Sequence, residues 1–506
     1  MSSLAEMVRE GGLSQHDDAQ AIRFKGRWWT WGELNAVAAG LASVFERLAL
    51  PPGAQIGCIL RNRPEHCGMM IGVVAAERCV VTFNGLLPDD KLVEDLQAAR
   101  PAVVLASADD WARPALREAV ARIGAAGFSV GEHDLAVKAV EGLERIGEGG
   151  HGAPLPEIAI LMLTSGTTGK PKRVPLKASV IQRQLAEAAS AAAPIGHGQA
   201  DQPRAANPPG LMHGSIVHIG GVWGVLGAAM SGRPFVLSEK FSVQEWRDQV
   251  VEFRPKAVGG PPAALRMILD ANLPKEDLAS LVSVGAGTAR VDPEIVDEFL
   301  ARYDLPVLTN YGATEFAGGV ASWSLKAFRQ YWTTKRGAVG RLHRTVEAQV
   351  VDPETGLALP FGEEGVLELK GYQVGDGEGW TRTTDRAVLD EDRFLWIRGR
   401  LDNAINRGGF KVHPDEVCQV LERHPAVREA SVVGVPDRRL GEVPVAAVIL
   451  KQGAFANETE LVAWVREHLM AYCVPTAVKI VEDLPRTPSM KVSAPAVREL
   501  FAVEHP

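Results

Sequence analysis

Cysteine is scarce, with five in 506 residues. Cys58, Cys67, Cys79, Cys418 and Cys473 are odd in number, scattered and without metal-ligand spacing, which excludes a disulfide framework and a zinc-type cluster. Reduced thiols in the interior of a cytoplasmic protein are expected. Long apolar runs are lacking as well: the stretches around Met69–Ala76 and Ile216–Met230 are shorter than about 20 residues or carry polar interruptions, so no membrane span is expected. Glu6, Arg9 and Glu10 stand near the start with no apolar segment beside them, so no secretory signal is expected either. No block of Lys and Arg interrupts the mixed charges, and the net charge is −8, which argues against a nucleic-acid partner. An anionic substrate must then be met by local donors. Internal repeats and long low-complexity tracts are absent.

Apolar residues make up 46% of the chain, enough for large cores, and the length suggests roughly three folding units of about 150 residues. Between residues 20 and 110 strand-like and helix-like segments alternate. Ala21–Phe24, Ile56–Leu60 and Ala102–Ala106 read as strands; Trp31–Leu48 reads as an amphipathic helix with Leu34, Leu41, Val44 and Leu48 on one face. Leu87-Pro88-Asp89-Asp90 reads as a helix start. This alternation predicts layered α/β architecture.

The chemistry concentrates at Ile158–Val174. Ile158–Leu163 is a short apolar run, expected to be a strand buried on both faces. Thr164, Ser165, Gly166, Thr167, Thr168, Gly169, Lys170, Pro171 and Lys172 follow. The two glycines free the backbone to turn N–H groups toward an anion, and hydroxyls and lysines add donors and positive charge. Only two residues separate those glycines, so this is not a Walker A loop. Leu176–Ala193 then reads as a helix. Further on, Leu281–Val284 reads as a strand leading to the turn Gly285-Ala286-Gly287-Thr288-Ala289. Asp292-Pro293 caps a helix that buries Ile295, Val296, Phe299 and Leu300. Pro306–Leu308 is expected to be a strand delivering Asn310-Tyr311-Gly312-Ala313-Thr314-Glu315 beyond its carboxyl end, where ligands of open α/β sheets sit. Tyr311 offers a ring to adenine, Thr314 a hydroxyl to phosphate and Glu315 an oxygen ligand to Mg²⁺. From Gly337 short turns and strands suggest a β-rich subdomain. Beyond Arg400 a segment of about a hundred residues has its own α+β rhythm.

These strings, with Thr384-Asp385, Arg398–Asn403 and Leu484–Lys491, resemble in order and across nearly the whole chain the adenylate-forming superfamily, in its acyl- and aryl-CoA synthetase branch. The resemblance implies an α/β fold: a large N-terminal domain of layered sheets and helices with a β-rich subdomain, residues 1–400, and a small mobile α+β domain, residues 401–506, hinged near Asp402. It implies ATP and AMP binding by Thr164, Ser165, Gly166, Thr167, Thr168, Gly169, Lys172, Gly287, Thr288, Asn310, Tyr311, Gly312, Asp385 and Arg400. Catalytic roles fall to Lys491, Glu315, Thr314 and His218, with Mg²⁺ on Glu315. Gly408 and Gly409 would flank a coenzyme A tunnel, although a plain turn explains such a pair equally well. An acyl pocket would involve His213, His218, Trp223, Ala317 and Gly318, closed by Trp223 and Phe316. Between the two histidines, spacing to the following apolar stretch favours His218 and the local string favours His213. Two departures stand out: Thr384 and Met490 occupy positions where the family has glycine.

The implied reaction converts a carboxylic acid, ATP and CoA to a thioester, AMP and pyrophosphate through an acyl-adenylate, in the cytoplasm. An aromatic or medium-chain acid is expected by analogy. No carrier domain follows Lys491, which favours a free-standing CoA ligase. Loading of a separate carrier protein and a nucleotide-binding protein that has lost catalysis stay open as alternatives, as does a homodimer.

Overall fold

The computed structural model describes residues 2–164, 172–192, 208–487 and 490–502. Two compact units divide the chain. One takes in the residues up to Leu308 together with Gly312–Gly319; the other comprises Thr309–Tyr311 and everything from Val320 onward.

The first unit is α/β throughout. Its largest sheet has seven strands in the spatial order Val137–Ala139, Ala126–Val130, Val103–Ala106, Gln55–Leu60, Cys79–Asn84, Ile158–Thr164, Lys172–Lys177. The five inner strands are parallel and both edges are antiparallel. Every residue of Gln55–Leu60 is buried, as a central parallel strand requires. Trp31–Arg47 forms the expected helix, capped by Thr30 and Glu33 in a reciprocal capping box, and buries Leu34, Leu41 and Val44. Leu48 falls at its C-cap. Ile158–Thr164 is a strand, but only Ala159, Ile160 and Met162 are buried, because its partner Lys172–Lys177 is a polar edge strand. The helix after it begins at Ala178, since Lys172–Lys177 is taken up by that pairing. A second sheet of four strands contains Gln20–Phe24, Arg27–Thr30, Gly210–Met212 and Phe235–Leu237. Ala257–Gly260 and Ser283–Ala286 pair in parallel, the latter two residues beyond the expected strand Leu281–Val284. Asp292 caps Pro293–Tyr303 through the Glu294 N–H.

In the second unit, Gly340–Leu342, Phe394–Arg400, Thr381–Leu389, Glu364–Gly371 and Val346–Val351 form consecutive antiparallel neighbours. A further sheet pairs Val427–Asp437 with Gly441–Leu450, flanked by Ile405–Arg407, Phe410–Val412 and the parallel strand Ala477–Ile480. One face buries Val417, Leu421, Leu461 and Val465 from helices Pro414–Glu422 and Glu458–His468; the other packs Leu484, Val497 and Phe501. Helices lie on both faces of this sheet. No helix among the described residues is long and apolar enough to cross a membrane. All five cysteines are free, and four are buried.

A charged cluster lies just past the strand Gln55–Leu60. The Arg61 guanidinium donates to both carboxylate oxygens of the fully buried Asp110 at 2.7 Å. Nearby, burial pushes the Glu65 carboxyl up to about 7 against the pull of Arg63, 3.9 Å away, and holds the adjacent His66 imidazole down at about 4. Their linkages oppose one another. Between pH 4.5 and 7 the folded chain keeps a proton on Glu65 that the unfolded chain has lost, so stability falls as pH rises; between pH 4 and 6.5 the unfolded chain binds a proton that His66 refuses, so stability rises. Glu65→Gln should leave the His66 slope alone, about 1.4 kcal/mol per unit of displaced pKa. Urea unfolding from pH 4.5 to 6.5 should therefore show stability climbing more steeply than in the unsubstituted protein; superimposable profiles would contradict the assignment.

Candidate active site

At the hydroxyl-rich loop, Thr164 ends one strand directly opposite Lys172 at the start of the next, and the Thr164 hydroxyl donates to the Lys172 carbonyl at 3.1 Å. Ser165, Gly166, Thr167, Thr168 and Gly169, with Lys170 and Pro171, lie outside the described residues. The strand Lys172–Lys177 packs against the 3-10 turn Thr314–Phe316. The structure therefore brings the exit of the loop and the Thr314-Glu315 pair together.

Asn310, Tyr311 and Gly312 lie inside the strand Val307–Ala313 rather than beyond its end. The strand runs longer than Pro306–Leu308 because the backbone stays extended as far as Ala313. Gly312 is required there by close approach: a Cβ would lie 2.0 Å from the Gly318 carbonyl oxygen. Between these two glycines the chain makes the 3-10 turn and reverses through Ala317, at φ 51°. Thr314 is half-buried. Glu315 is exposed and makes no hydrogen bond or ion pair with any described residue. Among the described residues no group of three His, Cys, Asp or Glu side chains converges as a metal cage. A lone open carboxylate fits Mg²⁺, which takes one or two protein carboxylates and completes its shell with water and substrate phosphates. Gly287 is buried directly after the strand Ser283–Ala286, and Thr288 has φ 70°.

Of the two histidines, His213 follows the strand Gly210–Met212 and is buried edge-on against Phe241, with ring centroids 5.8 Å apart. Burial holds its imidazole neutral, down at about 4. His218 is half-buried at the N-cap of Ile219–Ser231, without a side-chain capping bond. Trp223 is on the same helix. Both histidines thus bracket one short loop.

That loop is held by a residue the sequence reading missed. Asn62, 5% exposed, donates to the carbonyls of Gly214 and Ser238 at 3.0 and 2.9 Å and accepts the Ile216 N–H at 2.9 Å. Its position just past a central parallel strand is the signal that points to it.

In the second unit, the Tyr311 hydroxyl donates to the Asp385 carboxylate, and Asp385 stands opposite Arg400 in the sheet. Arg400 forms a two-bond pair with Asp402, at 2.8 and 2.6 Å. Thr384 lies in the extended strand Thr381–Leu389, where its carbonyl accepts the Leu401 N–H. A side chain is accommodated at this position because the conformation is one any residue adopts. Met490 differs: its φ is 65°, the left-handed region that favours glycine. Arg486 supports it, donating to the Met490 carbonyl at 3.2 Å and pairing with Glu429 at 2.7 Å. Lys491 follows, exposed, its carbonyl accepting the Thr487 N–H. Gly408 and Gly409 form the two-residue loop between Ile405–Arg407 and Phe410–Val412, with φ of 58° and 90°. Positive φ at both positions is the pattern of a type I′ hairpin, so the turn itself accounts for the glycines.

Asn62→Ala should leave two carbonyls and one N–H without their partner. At about 1 to 3 kcal/mol for each unsatisfied buried group, and with partial relaxation, a loss of roughly 2 to 4 kcal/mol is expected. Chemical denaturation reads this directly, and an unchanged midpoint would show that the loop does not depend on the amide.

Residues 10–377 match the family model described as AMP-binding enzyme, and residues 416–491 match its C-terminal domain. The chain is 30% identical to 4-coumarate–CoA ligase-like 9 of Arabidopsis thaliana over 351 residues, 66% of this chain and 60% of that protein's length. It is 27% identical to 4-coumarate–CoA ligase 3 of Oryza sativa subsp. japonica, over 95% of this chain and 89% of that one. Among solved structures, ATP-bound MatB from Rhodopseudomonas palustris superposes with a TM-score of 0.80 at 24% identity, covering 98% of this chain and 99% of the other, which speaks for the fold. With both domain models matched in order, the chain belongs to the AMP-binding enzyme family.

Proposed function

We propose that the chain is an ATP-dependent carboxylic acid:CoA ligase that activates an aromatic acid as its adenylate and passes the acyl group to the thiol of CoA. The observation that carries this reading is the pair of family matches, the second of which reaches Lys491. The names of the curated relatives, 4-coumarate–CoA ligases, support the acid class and the acceptor.

Chemistry assigns the parts. A carboxylate acylates poorly because its leaving group would be oxide, so the acid oxygen attacks the α-phosphorus of ATP and pyrophosphate departs. Negative charge gathers at that phosphate, where a fixed cation and fixed donors are worth most. Lys491 supplies the cation beside the carboxylate, and Thr164, Lys172, Thr314 and the loop between the first two supply donors for the phosphates. Mg²⁺ held by Glu315 would offset the phosphate charge. Tyr311 faces the base, and Asp385 and Arg400 take the ribose hydroxyls. Residues 401–506 then turn about Asp402, withdraw Lys491 and bring Gly408 and Gly409 to the pantetheine of CoA, whose thiol displaces AMP. No side-chain nucleophile is needed; positioning and charge suffice. The cytoplasm, where ATP and CoA meet, is the compartment proposed, and a homodimer is compatible with this scheme.

Acid-dependent exchange of pyrophosphate into ATP tests the first half, and CoA against a carrier protein as acceptor tests the second. Lys491→Ala should slow exchange by roughly two to three decades, the loss of one main electrostatic donor. Thioester formation from supplied acyl-adenylate should change little, and equal loss in both steps would remove Lys491 from its role. Glu315→Gln should raise the Mg²⁺ concentration needed for half-maximal exchange; an unchanged requirement would place the metal elsewhere.

A further inference from the structure

The strand Lys172–Lys177 leaves the hydroxyl-rich loop at the edge of the seven-stranded sheet, and its own side chains anchor it poorly there: only Leu176, near its far end, is buried. Its neighbour Ile158–Thr164 is joined to the interior strand Cys79–Asn84 through Val80–Ile160 and Val81–Leu161. Among the described residues no further pair joins those two strands toward the loop, at the carboxyl end where ligands of parallel sheets sit. Arg173 fills the break. Standing opposite Leu163, it sends its guanidinium back across the sheet and donates to the carbonyls of Leu161 at 3.4 Å and Thr82 at 3.1 Å. The same group donates to the Asp95 carboxylate at 2.7 Å and lies over the Phe83 ring, 4.5 Å from its centroid. Asp95 belongs to the helix Asp89–Ala99, which buries Leu92 and Leu96. One side chain thus ties the edge strand to two neighbouring strands and a helix.

The Arg173 and Asp95 side chains are 16% and 11% exposed, so salt and water screen little of their attraction. Burial pushes the Asp95 carboxyl up and the Arg173 guanidinium down, each charge being offset by the other. The consequence lies one residue away. The Lys172 carbonyl accepts the Thr164 hydroxyl, so both ends of the phosphate loop are fastened beside this clamp, on the strand that packs against Thr314–Phe316. We propose that Arg173, anchored by Asp95, is a positioning residue for ATP: it fixes where Lys172 and Thr164 stand for the phosphates that ATP has and AMP lacks, and touches no substrate itself. This rests on the ligase reading and on the assignment of the loop to the phosphates.

A clamp that serves stability alone predicts a different result from one that serves ATP, and a neutral replacement separates them. Arg173→Leu by itself would strand the Asp95 carboxylate among apolar neighbours, so the informative variant is Arg173→Leu with Asp95→Leu, which removes both charges beside Phe83, Leu92 and Leu96. Calorimetric titration of the full chain with ATP and with AMP, Mg²⁺ present and acid absent, is compared with thermal unfolding. The double variant should unfold close to the unsubstituted protein, bind AMP within about twofold, and bind ATP about tenfold or more weakly, as expected when binding groups are misplaced. Thioester formation from supplied acyl-adenylate, which carries no pyrophosphate, should hold. Asp95→Asn keeps an acceptor oxygen for Arg173 and disturbs the fold least; it should weaken ATP alone, by about threefold, for the loss of charge assistance. A folded double variant whose ATP affinity is intact, or whose ATP and AMP affinities fall alike, overturns the proposal; should that variant not fold, unchanged ATP binding by Asp95→Asn overturns it. An unsubstituted protein that binds ATP but exchanges pyrophosphate with no acid overturns the ligase reading instead, while the contrast between ATP and AMP still decides the role of Arg173.

Discussion

The backbone at Gly318 passes so close to Gly312 that Gly312 has no room for a side chain, and much of the candidate site depends on that contact. The five residues between them, 313–317, are forced into a compact excursion closed by the Ala317 N–H on the Thr314 carbonyl. Thr314 and Glu315 are carried at its tip, Phe316 is turned inward, and its carbonyl meets the Gln184 amide. A single extra carbon at Gly312 would strike the Gly318 carbonyl, push the strands apart and move the Thr314 hydroxyl and the open Glu315 carboxylate at once. Chemistry at one end of the excursion and shape at the other are thereby tied to one backbone crossing.

The second unit solves a comparable problem by side-chain anchoring. Met490 holds a left-handed conformation that costs a residue with a Cβ roughly 1 to 2 kcal/mol. Arg486 offsets this by binding the Met490 carbonyl while its other end is fixed by Glu429. The Met490 backbone is thus held by a half-buried guanidinium, where glycine would have adopted the same conformation through freedom alone.

Much of this was legible in the sequence, and the reasons differ by element. Trp31–Arg47 announced itself by its apolar period, and Asp292-Pro293 did so by cap chemistry. Lys172–Lys177 was not legible as a strand, since an edge strand with a polar face carries no apolar run; its pairing with Ile158–Thr164 decides it. Nor was the strand through Asn310-Tyr311-Gly312, where a glycine that reads as a turn signal is present for close approach. Charge-bearing site residues were visible as motifs. Asn62 was not, because a neutral amide acts through three-dimensional neighbours from loops distant in sequence.

Arg400 is already engaged, both of its bonds to Asp402 being made within the chain. Those two bonds use two of the five guanidinium N–H donors, so a ligand oxygen can bind this side chain without displacing Asp402. A side chain held in this way has its direction set by the protein's own carboxylate, so an incoming hydroxyl meets a guanidinium already in place.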